Sequence, residues 1–156
     1  MSKSANPLRI RSATEDDLTT ILALIGQPGF NATTLPLDEA RIVWSRMASY
    51  PSYRTLLAED HRGAVGSLAM ILIDHLGHRG DRIALIENVV VHANARGEGV
   101  GRTMIAEAGR LAGEAGAYKM ILATGIERAG AHEFYEKLGF ERYGYSYGLP
   151  LKEVLS

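Results

Sequence analysis

Three groups of residues in this 156-residue chain are of types and spacings that can do chemistry. The densest runs from Leu85 to Arg102 and reads Leu-Ile-Glu-Asn-Val-Val-Val-His-Ala-Asn-Ala-Arg-Gly-Glu-Gly-Val-Gly-Arg. Up to Val91 it is a β-branched apolar run of the kind a buried strand shows. It then passes through a glycine-punctuated turn into a helical pattern that begins near Gly101 or Thr103. The first N–H groups of a helix have no intrahelical partner, and the helix dipole adds partial positive charge there. Gly97, Gly99 and Gly101 leave those N–H groups uncovered and let backbone approach a ligand closely. Arg96 and Arg102 bracket the turn with fixed positive charge, so the ligand expected here is a phosphate or pyrophosphate. A P-loop requires Gly-Lys-Ser/Thr after its glycines, and Val100-Gly101-Arg102 has no lysine. A dinucleotide fingerprint requires G-x-G-x-x-G at the start of a long doubly wound domain. Here the spacing is Gly97-x-Gly99-x-Gly101, and too little chain follows to complete such a sheet. The competing reading is a glycine-rich turn that serves topology alone.

The second group is Glu87. Leu85, Ile86, Val89 and Val90 make both faces of its strand apolar, so a carboxylate there is costly unless it has a partner or a task. The task would be proton removal through water. Pairing with an arginine, or satisfaction at a β-bulge, is an equally good account, and His75, His78 and His132 are rival proton acceptors. The third group is Ala131-His-Glu-Phe-Tyr-Glu-Lys-Leu-Gly-Phe140. Ala131, Phe134 and Leu138 share one helical face and read as core, with His132 and Tyr135 on a neighbouring face. A phenol has a reference pKa near 10, stays protonated at neutral pH and can donate a proton. The alternative is that Tyr135 packs with Phe134 and hydrogen-bonds at its tip. No His/Asp/Glu spacing demands a metal.

The elements that must position these residues follow from periodicity. Leu8 to Ala13 alternates as a first strand. Thr14 is an N-cap with Asp17 at N3, and Leu18, Ile21, Leu22 and Ile25 form an apolar stripe that Gly26 stops. A loop from Gln27 to Leu37 precedes a helix from about Asp38 to Ser49, ended by Pro51. Strands are expected over Tyr53–Glu59, Ala64 to about Leu76, and Arg82–Val91, with turns at Asp60–Gly63 and Gly77–Asp81. A helix to about Ala115, a strand over Lys119–Thr124, a short helix from Ala129 to Leu138 and a last strand from Phe140 to Tyr147 complete the order. Antiparallel hairpins followed by a strand-helix-strand crossover make a mixed α/β sheet. The length suits one domain over residues 1–156 with a real core. A net charge of −1 offers no electrostatic case for nucleic acid or an anionic membrane, and the absence of cysteine excludes disulfides and cysteine nucleophiles. The N-terminus has no apolar segment of signal-peptide type, and the apolar run Ala64–Ile73 is too short to span a bilayer. A cytoplasmic protein is the simplest expectation.

Arg96-x-x-Gly99-x-Gly101 resembles the pyrophosphate loop of the GNAT N-acetyltransferases. Phe134-Tyr135-x-x-x-Gly139-Phe140 is similar to the signature after their fifth strand. Ile86-Glu87-Asn88-x-x-Val91 resembles the matching strand of small-molecule members, including glucosamine-phosphate acetyltransferases. The histidines between the third and fourth strands, and Ala131-His132, are similar to aminoalkylphosphonate acetyltransferases, and that likeness keeps a metal open although none is expected. The resemblance implies a mixed central sheet of six or seven strands with flanking helices. It also implies acetyl-CoA as co-substrate and direct transfer of the acetyl group to a primary amine of a small molecule. Val89, Val90 and Val91 would then pair with the acetyl and pantetheine arm. Arg96, Gly97, Glu98, Gly99, Val100, Gly101, Arg102 and Thr103 would hold the pyrophosphate. Tyr135 would lie by the sulfur as acid, and Glu87 would serve as base. Glu98 departs from the family's basic or neutral residue, and fits only if its side chain turns outward while its N–H points in. The alternative function is a non-catalytic acyl-CoA-binding or regulatory module of the same fold. Residues Gly26–Leu37, His75–Asp81 and Tyr143, Tyr145 and Tyr147 are the expected acceptor-side elements. The acceptor itself is unidentified by the sequence, and a homodimer is an option that related folds suggest.

Overall fold

A computed structural model describes residues 7–31 and 33–152. Most of the N-terminal segment read above as lacking a signal sequence lies outside those residues. The chain opens with β1 (Arg9–Ser12), followed by α1 (Leu18–Ile25) and α2 (Leu37–Ala48). Thr14 and Asp17 form the expected capping box, on a 3-10 turn of Glu15–Asp17 that leads into α1. Then come β2 (Tyr53–Asp60), β3 (Gly63–Ile73), β4 (Arg82–Val91), α3 (Val100–Glu114), β5 (Ala117–Ile121) and α4 (Ala129–Lys137). Among the described residues no helix is long and apolar enough to cross a membrane.

The sheet runs β1-β2-β3-β4-β5, antiparallel throughout except for the parallel β4–β5 pair. That parallel pair needs a crossover, which α3 supplies. Among the described residues five strands form rather than the six or seven expected. The segment read as a last strand, Phe140 to Tyr147, stays outside the sheet, and residues 141–152 are exposed throughout. It meets β5 through side chains: the Lys119 ammonium lies 4.7 Å from the Tyr143 ring centroid and donates to its hydroxyl at 3.2 Å. Alternating tyrosines match a strand, but Gly144 supplies no side chain to pack and weakens the strand it interrupts.

Two apolar layers sandwich the sheet. On one face Met104, Ile105, Ala108 and Ala112 of α3 pack against Leu56, Leu68, Met70, Ala84 and Ile86. On the other, Ile21 and Leu24 of α1 pack with Leu57 and Val90, flanked by Trp44 of α2. One irregularity governs what β4 presents to each layer. Glu87 is opposite Ala69 and Val90 opposite Ser67, so Leu68 alone faces both Asn88 and Val89. This is a β-bulge. Asn88 takes φ 50°, in the left-handed region that asparagine tolerates better than most residues. The extra residue shifts the alternation by one. Ala84 and Ile86 before it, and Val89 and Val91 after it, all belong to the α3 side, whereas Val90 joins the α1 side. Glu87, adjacent to Ile86 in an alternating strand, therefore also projects from the α1 face.

The entry into α1 is pinned by charge. Arg11 donates two bonds of 2.8 Å to Asp17 and reaches Glu59 at 2.8 Å. The hydrogen bonds from the guanidinium hold the Asp17 carboxyl at about 2, below its ordinary 3.8, and hold Glu59 below its ordinary value as well. A carboxyl lowered in the folded state stabilises the protein above its ordinary pKa and loses that contribution as pH falls through the folded value. Asp17→Asn should therefore cost about 1–2 kcal/mol at neutral pH, after allowance for solvent screening. It should also flatten the dependence of stability on pH between roughly 4 and 2. Denaturant titrations across that window check this, and an unchanged slope would remove Asp17 from the linkage.

Candidate active site

The site grows from an edge that β5 leaves open. β5 pairs with β4 only from Arg82 to Leu85. From Ile86 to Val91 β4 has β3 on one side and, among the described residues, no strand on the other. The His92 N–H bonds to the Val65 carbonyl of β3 at 2.8 Å. In a trans peptide the Val91 carbonyl of the same unit must then point the other way, to the open side. Gln27 meets it there. Its Nε2 donates to the Val91 carbonyl at 2.9 Å, and its Oε1 accepts from the Ala93 N–H at 3.0 Å. One side-chain amide thus does for β4 what a neighbouring strand would do. Sequence reasoning missed Gln27, because a bond between residues 64 positions apart leaves no local pattern.

The glycine turn follows directly. Gly97 and Gly99 take φ 78° and 84°, where an L side chain is strained. Gly99 caps α3, which starts at Val100, slightly earlier than expected. The Thr103 N–H and hydroxyl both donate to the Gly99 carbonyl at 3.0 Å. The N–H groups of Val100, Gly101 and Arg102 precede that first helical bond, so no carbonyl within the helix accepts from them. Arg96 and Arg102 are exposed beside them. Gly101 has a different role from the one its place in the motif suggests. It is buried, and a Cβ there would sit 2.9 Å from Cζ of Phe134. It lets α4 pack on the start of α3. Glu98 turns away from the turn and pairs with Arg62 of the β2–β3 hairpin, as an acid in this loop must. Arg62 also donates to the Asn94 carbonyl at 2.9 Å and pairs with Asp60, so the hairpin braces the loop. That pairing holds the Glu98 carboxyl below its ordinary value. Arg62 too was invisible in the sequence, where it reads as a hairpin residue.

Tyr135 lies half-buried on α4 between two rings, with centroids 5.0 Å from Phe134 and 5.6 Å from Phe140. Burial pushes its hydroxyl pKa up. Glu87 is exposed, contrary to the expectation drawn from its apolar neighbours, because the helices on the α1 face leave its side chain uncovered. Its charge, after burial, helps raise the Tyr53 hydroxyl. The histidines separate. His75 and His78 pack by Tyr118, the His78 and Tyr118 centroids 4.5 Å apart, before the start of β4. The glycine turn follows the far end of that strand, roughly 30 Å along it at ~3.3 Å per residue. His132 has Nε2 2.8 Å from the Gly125 carbonyl, and since a carbonyl only accepts, Nε2 carries the proton. Of the proton acceptors weighed from the sequence, Glu87 alone is on the bulge.

Beside the bulge, on the α1 face, is a cavity of about 340 Å³ lined by α1, α2, the loop at Asn31 and Thr33–Leu35, and the strands around Thr55, Ser67 and Asn88. Its floor is low because Thr55, Ser67 and Ala69 are small.

An acetyltransferase (GNAT) domain model matches residues 29–142. The chain is 27% identical over 136 residues to glucosamine 6-phosphate N-acetyltransferase of Trypanosoma brucei brucei, covering 87% of this chain and 90% of that one. It is 30% identical over 133 residues to aminoalkylphosphonate N-acetyltransferase of Salmonella typhimurium, covering 85% and 84%. The crystal structure of a Trypanosoma brucei acetyltransferase superposes with a TM-score of 0.80 at 28% identity, over 93% of this chain and all of that one. The chain belongs to the GNAT acetyltransferase family. It is an N-acetyltransferase.

The two glycine roles predict different failures. Gly99→Val should strain the turn at φ 84° and weaken acetyl-CoA binding at least about tenfold, ~1.4 kcal/mol, by calorimetry. Gly101→Ala should instead cost about 1–3 kcal/mol of stability through overpacking against Phe134. Phe134→Leu in the same chain should recover part of that loss. Equal effects of the two single variants on the melting temperature would refute this division.

Proposed function

We propose that this N-acetyltransferase uses acetyl-CoA and moves the acetyl group directly to a primary amine of a small molecule. The observation that carries the reading is the strandless edge of β4 from Ile86 to Val91, which runs straight into the left-handed glycine turn and the start of α3. An amide-bearing arm followed by a pyrophosphate matches that succession of backbone edge and helix N-terminus. Val89, Val90 and Val91 receive the arm, and the turn from Arg96 to Thr103 receives the pyrophosphate. Glu98 stays out of its way on Arg62.

Acetyl-CoA supplies an activated thioester, so the residues need only orient the amine and manage protons. Glu87, exposed at the bulge, takes the ammonium proton through water. Backbone N–H groups of β4 stabilise charge developing on the carbonyl oxygen. Tyr135 donates to the departing thiolate, and the burial that raises its pKa keeps it protonated well above neutrality. Direct transfer also suits a chain with no cysteine.

Tyr135→Phe keeps the ring and its packing, so acetyl-CoA affinity should hold while turnover falls by roughly 10²–10⁴-fold. Wild-type turnover, with chemistry rate-limiting, would make Tyr135 a packing residue and solvent the acid. Glu87→Gln should lower turnover at neutral pH and recover partly as rising pH delivers neutral amine. Because the carboxylate is exposed, the melting temperature should not move. A pH–rate profile parallel to wild type would exclude Glu87 as the base.

A further inference from the structure

The cavity on the α1 face says what kind of amine this site takes. Resting on the reading above, we infer that it is the acceptor pocket and that it holds a primary amine carried on an uncharged, apolar body, such as an arylalkylamine, rather than an amine bearing phosphate or phosphonate. Its position ties it to the reaction. Asn88 of the bulge lines it, and Ala69 on its floor is in register with Glu87 on one side and Thr55 on the other. Each of those neighbours is about 4.8 Å away across the sheet, so an amine leaving the cavity towards β4 arrives at the Glu87 carboxylate.

The lining sets the chemistry. Its walls are aliphatic side chains of α1 with Val43, Trp44 and Met47 of α2. Its polar groups are neutral, chiefly Thr55, Ser67, Asn88 and the loop at Asn31, Thr33 and Thr34. Among the described residues that line it, none is charged. Arg41 and Arg46 of α2 and Arg54 of β2 are exposed and lie outside the lining. A phosphorylated acceptor would bury its anion here without a counter-ion, which is strongly unfavourable. The charge that does stand at the bulge, Glu87, repels an anionic acceptor and attracts an ammonium. A volume of about 340 Å³ is at the small end for ligand sites and suits a single ring or short alkyl chain. The two curated relatives are named for a phosphorylated and a phosphonylated amine, so this chain's pocket points to a different acceptor class.

The test measures free thiol released from acetyl-CoA with 2-phenylethylamine, glucosamine 6-phosphate and 2-aminoethylphosphonate. The arylalkylamine should exceed both anionic amines in kcat/KM by about a hundredfold or more. Preference for either anionic amine overturns the pocket assignment and leaves the acetyltransferase reading intact. Acetyl-CoA binding by calorimetry without thiol release from any of the three, or from a wider amine panel, overturns both. Ala69→Val raises the floor of the cavity. It should increase KM for 2-phenylethylamine about tenfold while KM for acetyl-CoA is unchanged. If that variant does not fold, Met47→Trp narrows the cavity from half-buried α2 and carries the same expectation. An unchanged amine KM in a folded variant rejects the cavity as the acceptor site.

Discussion

Backbone hydrogen bonding along β4 is the constraint from which the rest of this structure follows. A strand in the middle of a sheet must satisfy N–H and C=O groups on both edges, and buried groups left unpaired are costly. β4 meets that demand with β5 only as far as Leu85. Beyond it, Gln27 covers the Val91 carbonyl and the Ala93 N–H. The bulge at Asn88 and Val89 interrupts the opposite edge of the same short stretch. The central strand of the protein is thus well ordered at its start and rich in available backbone groups at its end. That end is where a chain-like ligand with its own amides can be received by backbone alone.

The charges around the turn are arranged to keep that backbone usable. An acid in a loop proposed to bind an anion would be a liability, and Glu98 is drawn off by Arg62, which also holds the Asn94 carbonyl. The β2–β3 hairpin, remote in sequence, is therefore part of the loop's support. Arg96 and Arg102 remain exposed with no acid in the turn left to quench them. The hairpin contact that pairs with Glu98 also braces the path of the chain from β4 into α3.

Much of this was legible in the sequence because it rests on local rules. Gly97 and Gly99 adopt the positive φ that the motif implies, the capping box at Thr14 and Asp17 forms, and β4 spans the residues its β-branched run marks. Other features were not legible, each for a physical reason. Period-two reading gives the face from which Glu87 projects but not what covers that face, and Glu87 is exposed. Gln27 and Arg62 act through bonds to residues 64 and 36 positions away, which no window along the chain can contain. The alternation of Tyr143, Tyr145 and Tyr147 shows what a segment is able to do, not whether a sheet edge accepts it. Gly101 fits the motif's spacing, yet its burial under Phe134 is a fact of tertiary packing.

The same distinction separates the proposed coenzyme side of the site, which can be read from a short motif, from the proposed acceptor side, which cannot. The proposed coenzyme groove is built in the plane of the sheet from main-chain groups, and main chain is specified by glycine positions and strand propensity. The cavity lies out of that plane, between the sheet and two helices, and its shape is a difference between large and small side chains on separate elements. Thr55, Ser67 and Ala69 read individually as unremarkable strand residues. Only the register of β2, β3 and β4 sets Thr55 and Ala69 beside Glu87 and leaves space above them. The two constructions meet at the end of β4, where the bulge at Asn88 and Val89 opens the backbone in the plane next to Glu87, which ordinary alternation from Ile86 directs to the cavity face. On the proposed assignment, substitutions on α1 and α2 would change which amine is accepted without touching the backbone groups assigned to the acyl donor. On that proposal the glycine turn and the cavity vary independently: among the described residues that line the cavity none is charged, although the two relatives are named for anionic amines.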